Sequence, residues 1–400
     1  MKKIGVKIWH FLRAQWRRET LLAFIVTILL IGIFSFISKI PIGAAESEHD
    51  LIRQSQSVRT IIENPVNAPY KIATLALTTL SPTVRMARAI SFTFYIGACV
   101  AMFYALKHWH TLQASILTTL AFGANAIMLS TGRLGTPMIT VTSFFIFAGM
   151  LLWQVHTKSN KLVPFIVMSA LGALLYVPGA IWFFIVISLV YSNRIRKLFK
   201  DVKRPAILIG VFIALVLLTP LVLGFIRDTN NLKEWLLLPP TLDWSQVPRS
   251  ILRVPSAFIY RMPVEPLINI GRLPVFDIVS GVLFLIGLNA YLRKLKLDRT
   301  RVMIGAALVG IGIGALGQTT VAVIMILPFV YSVVAAGIEY LLDEWYTVFP
   351  RNPVARSFGM LLITTAVLFS IYYQLTRFFV VWPQAPETRT VYTQSRIVNR

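Results

Sequence analysis

Apolar runs long enough to cross a bilayer recur from one end of the chain to the other, and no other feature of the sequence limits its fold so severely. A hydrocarbon core about 30 Å thick takes about 20 residues of helix. Inside it every backbone N–H and C=O must be paired within the protein, so spanning segments are helices or strands of a closed barrel. The runs at 21–40, 89–106, 114–131, 139–155, 162–180, 181–192, 206–226, 274–292, 302–318, 319–338 and 357–380 are continuous rather than alternating, which selects helices. The expectation is an all-α integral membrane protein of about 11 transmembrane helices, in a range of about ten to twelve. The fifth and sixth runs meet at Val177-Pro178-Gly179 and are short for two full crossings, so a shallow hairpin is open there as well.

Only 14% of the residues are charged, against about 25% in ordinary soluble domains. The run at 21–40 follows basic residues and precedes Gly43-Ala44-Ala45, but it is too long and too apolar for a secretory signal and reads as an uncleaved anchor. Lys and Arg set the orientation. With the N-terminus inside, 22 of the 39 Lys and Arg residues fall in the inside segments, at more than twice the density outside. This divides the chain into a basic cytoplasmic N-terminus at 1–20, a polytopic membrane domain at 21–380 with external loops at 41–88 and 227–273, and a short external tail at 381–400. The net charge of +23 follows largely from this bias, so no nucleic acid is expected as a partner.

Several chemistries drop out. Cys99 is the one cysteine, which leaves neither a disulfide framework nor a thiolate metal cluster. The inside loops are too short for a nucleotide-binding domain. Gly312-Ile313-Gly314-Ala315-Leu316-Gly317 fits G-x-G-x-x-G but lies in an apolar run with no strand before it, so it reads as small residues that let helices approach closely. His108 and His110 are two apart, on different sides of a helix, and read as interfacial anchors beside Trp109.

Against this background Glu46, Glu48 and Asp50 crowd the start of the first long loop. Pro41 and Gly43 turn the chain, and a helical pattern begins near Ser47, with Asp50 as the capping-box acid. Asp50, Arg53, Gln54 and Ser57 share a polar face opposite Leu51, Val58, Ile61 and Ile62, an amphipathic helix on the membrane surface. The run at 72–80, too short to cross, reads as a second interfacial helix before Arg85 and Arg88. Carboxylates and arginines are thereby held at headgroup level, where a lipid phosphate sits.

Pro41-Ile42-Gly43, Glu48-His49-Asp50 and "LIRQSQSVRTIIENP", in that order after one span, resemble the GT-C type of membrane glycosyltransferase. That group includes protein O-mannosyltransferases and the aminoarabinose transferase of lipid A. "PYKIATLALTTLSPTVRMARAIS", "ANAIMLSTGRLGTPMITVTSFFIF", "GALLYVPGAIWFF" and "ILPFVYSVVAAGIEYLL" extend the likeness over most of the chain. The resemblance implies transfer of a sugar from a polyprenyl-phosphate donor to a glycan, lipid or protein acceptor at the outer face. It implies Asp50 as general base, with Glu48 second. Arg133 and Arg88, then Arg53 and Arg59, are its candidates for the donor phosphate.

Trp235, Trp244, Arg249 and Arg261 of the second loop are acceptor-side candidates. Glu46, Glu48, Asp50 and His49 are hard-ligand candidates for a divalent metal, but the metal-free members look closer, so no cofactor is expected. Two departures from the family pattern, Leu51 directly after Asp50 and Thr320-Val321 where an Arg-Tyr pair is usual, keep a catalytically inactive GT-C relative open as an assembly partner. A transporter or lipid flippase is the reading from another class. It would place charges at mid-membrane, whereas Asp277 lies near the outer end of its run.

Overall fold

The computed structural model describes residues 21–38, 43–81, 83–143, 170–193, 196, 204–239, 241 and 244–393. Its helices are α1 (Leu21–Ile37), α2 (Glu46–Gln54), α3 (Val58–Glu63), α4 (Ala68–Thr78), α5 (Val84–Trp109), α6 (Leu112–Ala124), α7 (Ala126–Arg133), α8 (Ala180–Val190) and α9 (Arg204–Arg227). They continue with α10 (Thr229–Leu236), α11 (Val247–Ser250), α12 (Arg253–Ile259), α13 (Ile278–Leu292), α14 (Asp298–Ala315), α15 (Thr319–Val348), α16 (Pro353–Thr376) and α17 (Pro386–Thr393). The protein is a membrane protein. Among the described residues four helices are long and apolar enough to cross, five when a bent pair counts as one span, and α1, α8 and α13 are shorter apolar helices. The expected span at 139–155 lies largely outside the described residues, that at 162–180 lies outside them up to 169, and 1–20 and 394–400 lie outside as well.

α15 is the central post, flanked by α13, α14, α6 and α16. Its Pro328 removes the N–H that would bond to the Ile324 carbonyl one turn back. Thr142 Oγ1 donates to that carbonyl at 3.1 Å, so a neighbouring segment satisfies the freed acceptor. α13 and α15 touch backbone to backbone, since a methyl on Gly287 would overlap the Val333 carbonyl and one on Gly337 the Leu283 carbonyl. The sequence placed such close approach at Gly312–Gly317. There only Gly314 abuts a neighbour, Val254 of α12, while Gly312 and Gly317 face open space.

The run expected as one span at 114–131 is broken. α6 and α7 meet at 58°. Asn125 sits between them in an extended conformation, its Oδ1 accepting from Ile127 N (3.0 Å) and its Nδ2 donating to the Tyr331 hydroxyl (3.1 Å) and the Val275 carbonyl (3.3 Å). Ala126 N donates to Gln374 Oε1 at 3.2 Å. These bonds replace the lost helical ladder, and the bend swings Arg133 and Leu134 towards the first loop. Asp277 is likewise not within a helix but caps α13, accepting from Ser280 N, Ser280 Oγ, Ser370 Oγ and Gln374 Nε2.

The first loop holds three short helices, not two. Ser57 ends the first amphipathic stretch by capping α3, its hydroxyl accepting from Thr60 N at 3.2 Å. α2 starts at Glu46 with Ala45 as its cap, and the acid that accepts from the Ala45 amide is Glu48 (2.9 Å), not Asp50. Following the helices alternately across the bundle puts this loop, the α6–α7 end, the α14–α15 turn and the end of α16 on one face. His110, whose Nδ1 lies 2.6 Å from Glu339 Oε2, marks the other.

Candidate active site

Glu48 is the point at which the first face is tied together. Its side chain is fully buried, and each oxygen accepts two hydrogen bonds. Oε1 takes them from Arg88 Nε (2.7 Å) and Gly135 N (2.8 Å); Oε2 takes them from Arg88 Nη2 (2.7 Å) and Ala45 N (2.9 Å). Four donors leave this carboxylate no lone pair for a substrate hydroxyl. Arg88 Nη2 also donates to the Gly43 carbonyl at 2.8 Å, and a Cβ at position 135 would press on Glu48 Oε1 at 3.1 Å. The pair thus clamps the start of α2, the start of α5 and the 134–136 loop.

A second chain of bonds runs beside it. Ser91 gives its proton to the Leu134 carbonyl (2.6 Å), so the Tyr70 hydroxyl is the donor in the 2.6 Å contact between Tyr70 and Ser91. Burial holds the Tyr70 phenol well above its usual range. α4, α5 and the 134–136 loop are fixed together.

Two residues beyond Glu48 on α2, Asp50 faces the other way. Its side chain is 50% exposed, with a 3.6 Å contact to Arg53, and it lines a cavity of about 300 Å³. That is the size at which ligand clefts begin. Lys71, Glu234, Ser47, Gln54, Asn67 and Thr136 supply the other polar groups of the wall, and Leu51, Leu134, Pro137, Met138 and Leu267 the apolar ones. Lys71 is buried and donates to the Asn64 carbonyl at 3.0 Å. Burial lowers its ammonium to about 8, with the Glu234 carboxylate pulling the other way. Burial likewise raises Glu234, and Lys71 opposes it.

On the far side of Leu134 a smaller pocket is lined by Arg88, Ser130, Arg133, Trp382 and Tyr392. Arg133 is 6% exposed, and its Nε and Nη1 have no hydrogen-bond partner among the described residues. Leu134 belongs to both walls, so the pocket and the cavity are neighbours.

The arrangement therefore brings Asp50, Glu48, Arg88 and Arg133 together and leaves the other candidates apart. Arg53 and Arg59 point to solvent, Arg59 paired with Glu63 at 3.1 Å. Trp235 donates its indole N–H to the Leu175 carbonyl (2.6 Å) and packs on Phe225. Trp244, Arg249 and Arg261 are exposed and line neither cavity. Lys71 and Glu234 were missed, although a lone lysine in the apolar run of α4 was a readable sign. Among the described residues no three His, Cys, Asp or Glu side chains converge as a metal would require.

This architecture is that of a polytopic membrane protein with a GT-C-like fold. The chain is similar to the crystal structure of ArnT from Cupriavidus metallidurans in the apo state, with a TM-score of 0.57 at 13% identity, over 94% of this chain and 77% of that one. It is similar also to ArnT from the same organism bound to undecaprenyl phosphate, with a TM-score of 0.55 at 12% identity, over 94% and 79%. No family model matches the sequence, and no curated protein matches it.

Proposed function

We propose that the protein is a glycosyltransferase that moves a sugar from a polyprenyl-phosphate donor to an acceptor hydroxyl in the Asp50 cavity. The observation that carries this reading is the presence of Asp50 and a buried cation, Lys71, on the wall of one cavity of a GT-C-like fold. The neighbour bound to undecaprenyl phosphate supports a lipid phosphate of this kind as the carrier that leaves. Asp50 takes the acceptor proton as the oxygen attacks the anomeric carbon, and the bond from that carbon to the phosphate oxygen breaks. The polyprenyl phosphate leaves with the bonding electrons.

Charge grows on the leaving phosphate, which a preorganised cation stabilises. Lys71 is the first cation it meets, and Arg133 beyond Leu134 is the second. Arg88 and Glu48 hold the geometry, and Arg53 and Arg59 stay in solvent. The bias of Lys and Arg supports an orientation with this face outside the cell membrane and the N-terminus cytoplasmic.

The test is transfer of label from polyprenyl-phosphate sugars to cell-envelope acceptors by the purified protein in lipid. A new glycosidic bond supports the reading. Label that crosses sealed vesicles without a bond being made identifies a transporter, and no transfer from any donor leaves an inactive partner.

A further inference from the structure

Residues 244–264 carry no acidic side chain, yet they sit on the same face as the cavity. Trp382 Nε1 donates to the Pro266 carbonyl (3.0 Å) and the Tyr392 hydroxyl to the Leu267 carbonyl (3.0 Å), which ties the end of this segment to the site. Its inner side is firmly seated. Val254, Ala257 and Phe258 are buried, Val275 N and Phe276 N donate to the Ala257 and Phe258 carbonyls (3.0 and 3.1 Å), and Val254 fills the space that Gly314 leaves. The segment is thereby held level with the first residues of α13 and the α14–α15 turn, where spans leave the membrane.

The outer side has an unusual composition for a water-facing loop. Trp244, Leu252 and Tyr260 are 70%, 71% and 76% exposed, and Ile251, Ile259 and Val264 are exposed with them. Arg249, Arg253 and Arg261, all exposed, alternate with these apolar groups, and none takes part in an ion pair among the described residues. Apolar side chains at that level are stable in the headgroup region of a bilayer, and aromatic residues favour it. Arginines without carboxylate partners favour anionic headgroups there. Three of them on the face poorer in Lys and Arg run against the charge bias that orients the chain, which calls for a local cause.

We infer that residues 244–261 form a lipid-docking shoulder that binds anionic phospholipid headgroups of the leaflet beside the cavity mouth. The occupant is the bilayer itself. Rim arginines supply the charge recognition, and Trp244, Leu252 and Tyr260 enter the layer beneath the headgroups. An arginine near an anionic surface contributes about fivefold to partitioning, so removal of three gives a loss of at least about tenfold.

The full chain, reconstituted in nanodiscs of phosphatidylcholine with and without phosphatidylglycerol, is compared with the variant R249Q/R253Q/R261Q and with R351Q/R356Q on the opposite face. Native mass spectrometry reads the ratio of retained phosphatidylglycerol to phosphatidylcholine. The wild type and R351Q/R356Q should share a ratio that the triple variant lowers at least about tenfold. Quenching by lipids brominated near the headgroup, measured as wild type minus Trp244→Phe, should show Trp244 in contact with lipid, and it requires no folded triple variant. An unchanged ratio in the triple variant, or an unquenched Trp244, overturns the inference. So does an unchanged ratio with a raised KM for acceptor, which makes the shoulder an acceptor dock. The lipid ratio and the quenching are binding readouts, so they stand or fall apart from sugar transfer.

Discussion

The Glu48 carboxylate grips the Arg88 guanidinium through two 2.7 Å bonds across 40 residues of sequence, with the Glu48 side chain fully buried and that of Arg88 14% exposed. A buried pair of this kind contributes little net stability, but losing one partner strands the other charge, at about 3–5 kcal/mol. Glu48→Gln and Arg88→Gln should each lower unfolding free energy by about 3 kcal/mol, and the double variant by clearly less than the two together. A thermal or denaturant double-mutant cycle measures the coupling. Additive losses would mean that the pair is not a unit.

Lys71 gives the proposed reaction a pH signature. Its buried ammonium has a pKa lowered to about 8, so it is charged below that pH and neutral above it. Capture of a lipid phosphate needs the charged form, so kcat/KM should be level just below pH 8 and fall about tenfold per unit above it. In Lys71→Arg the fall should move beyond about pH 10, because guanidinium keeps its proton. Lys71→Gln should lose the inflection altogether, at a rate lower by roughly 100-fold.

Arg133 has a desolvated guanidinium with two nitrogens that find no partner among the described residues. Replacing it by an apolar side chain should stabilise the ligand-free protein, by about 1–3 kcal/mol. The same Arg133→Met variant should lose much of the stabilisation that undecaprenyl phosphate gives the wild type. Thermal unfolding with and without that lipid reads both effects. A destabilised free variant would show that the charge is satisfied at rest.

The α13–α15 contact rests on Gly287 and Gly337, each against a carbonyl of the other helix. Gly337→Ala should force the helices apart at about 1–3 kcal/mol, seen as a lower unfolding midpoint. Gly312→Ala, which faces open space, should be neutral or mildly stabilising, since alanine favours helix.

Much of this architecture is legible in the sequence, because a long apolar run carries one dominant signal. The runs behind α5, α9, α15 and α16 are such cases. The break at Asn125 is not legible, since its partners Tyr331, Val275 and Gln374 come from distant segments. The start of α2 misleads for the same reason. Ser47-x-x-Asp50 is the better local capping box, but Glu48 is held by Arg88 and Gly135, and that grip sets the register two residues earlier. Within the site, the acids past the first span and Arg133 were readable from order and spacing. Lys71 and Glu234 become neighbours only when α4 and α10 line one cavity.

The central claim is that Asp50 is the base in that cavity, and its own exposure makes the test clean. Among the described residues the Asp50 side chain makes only its exposed contact to Arg53, so Asp50→Asn should leave stability within about 0.5 kcal/mol. The decisive measurement is the initial rate of sugar transfer by this variant, beside the wild type, in the same lipid and at matched unfolding midpoint. The account expects a loss of about 100-fold to 10,000-fold. A wild-type rate from folded Asp50→Asn protein would contradict it.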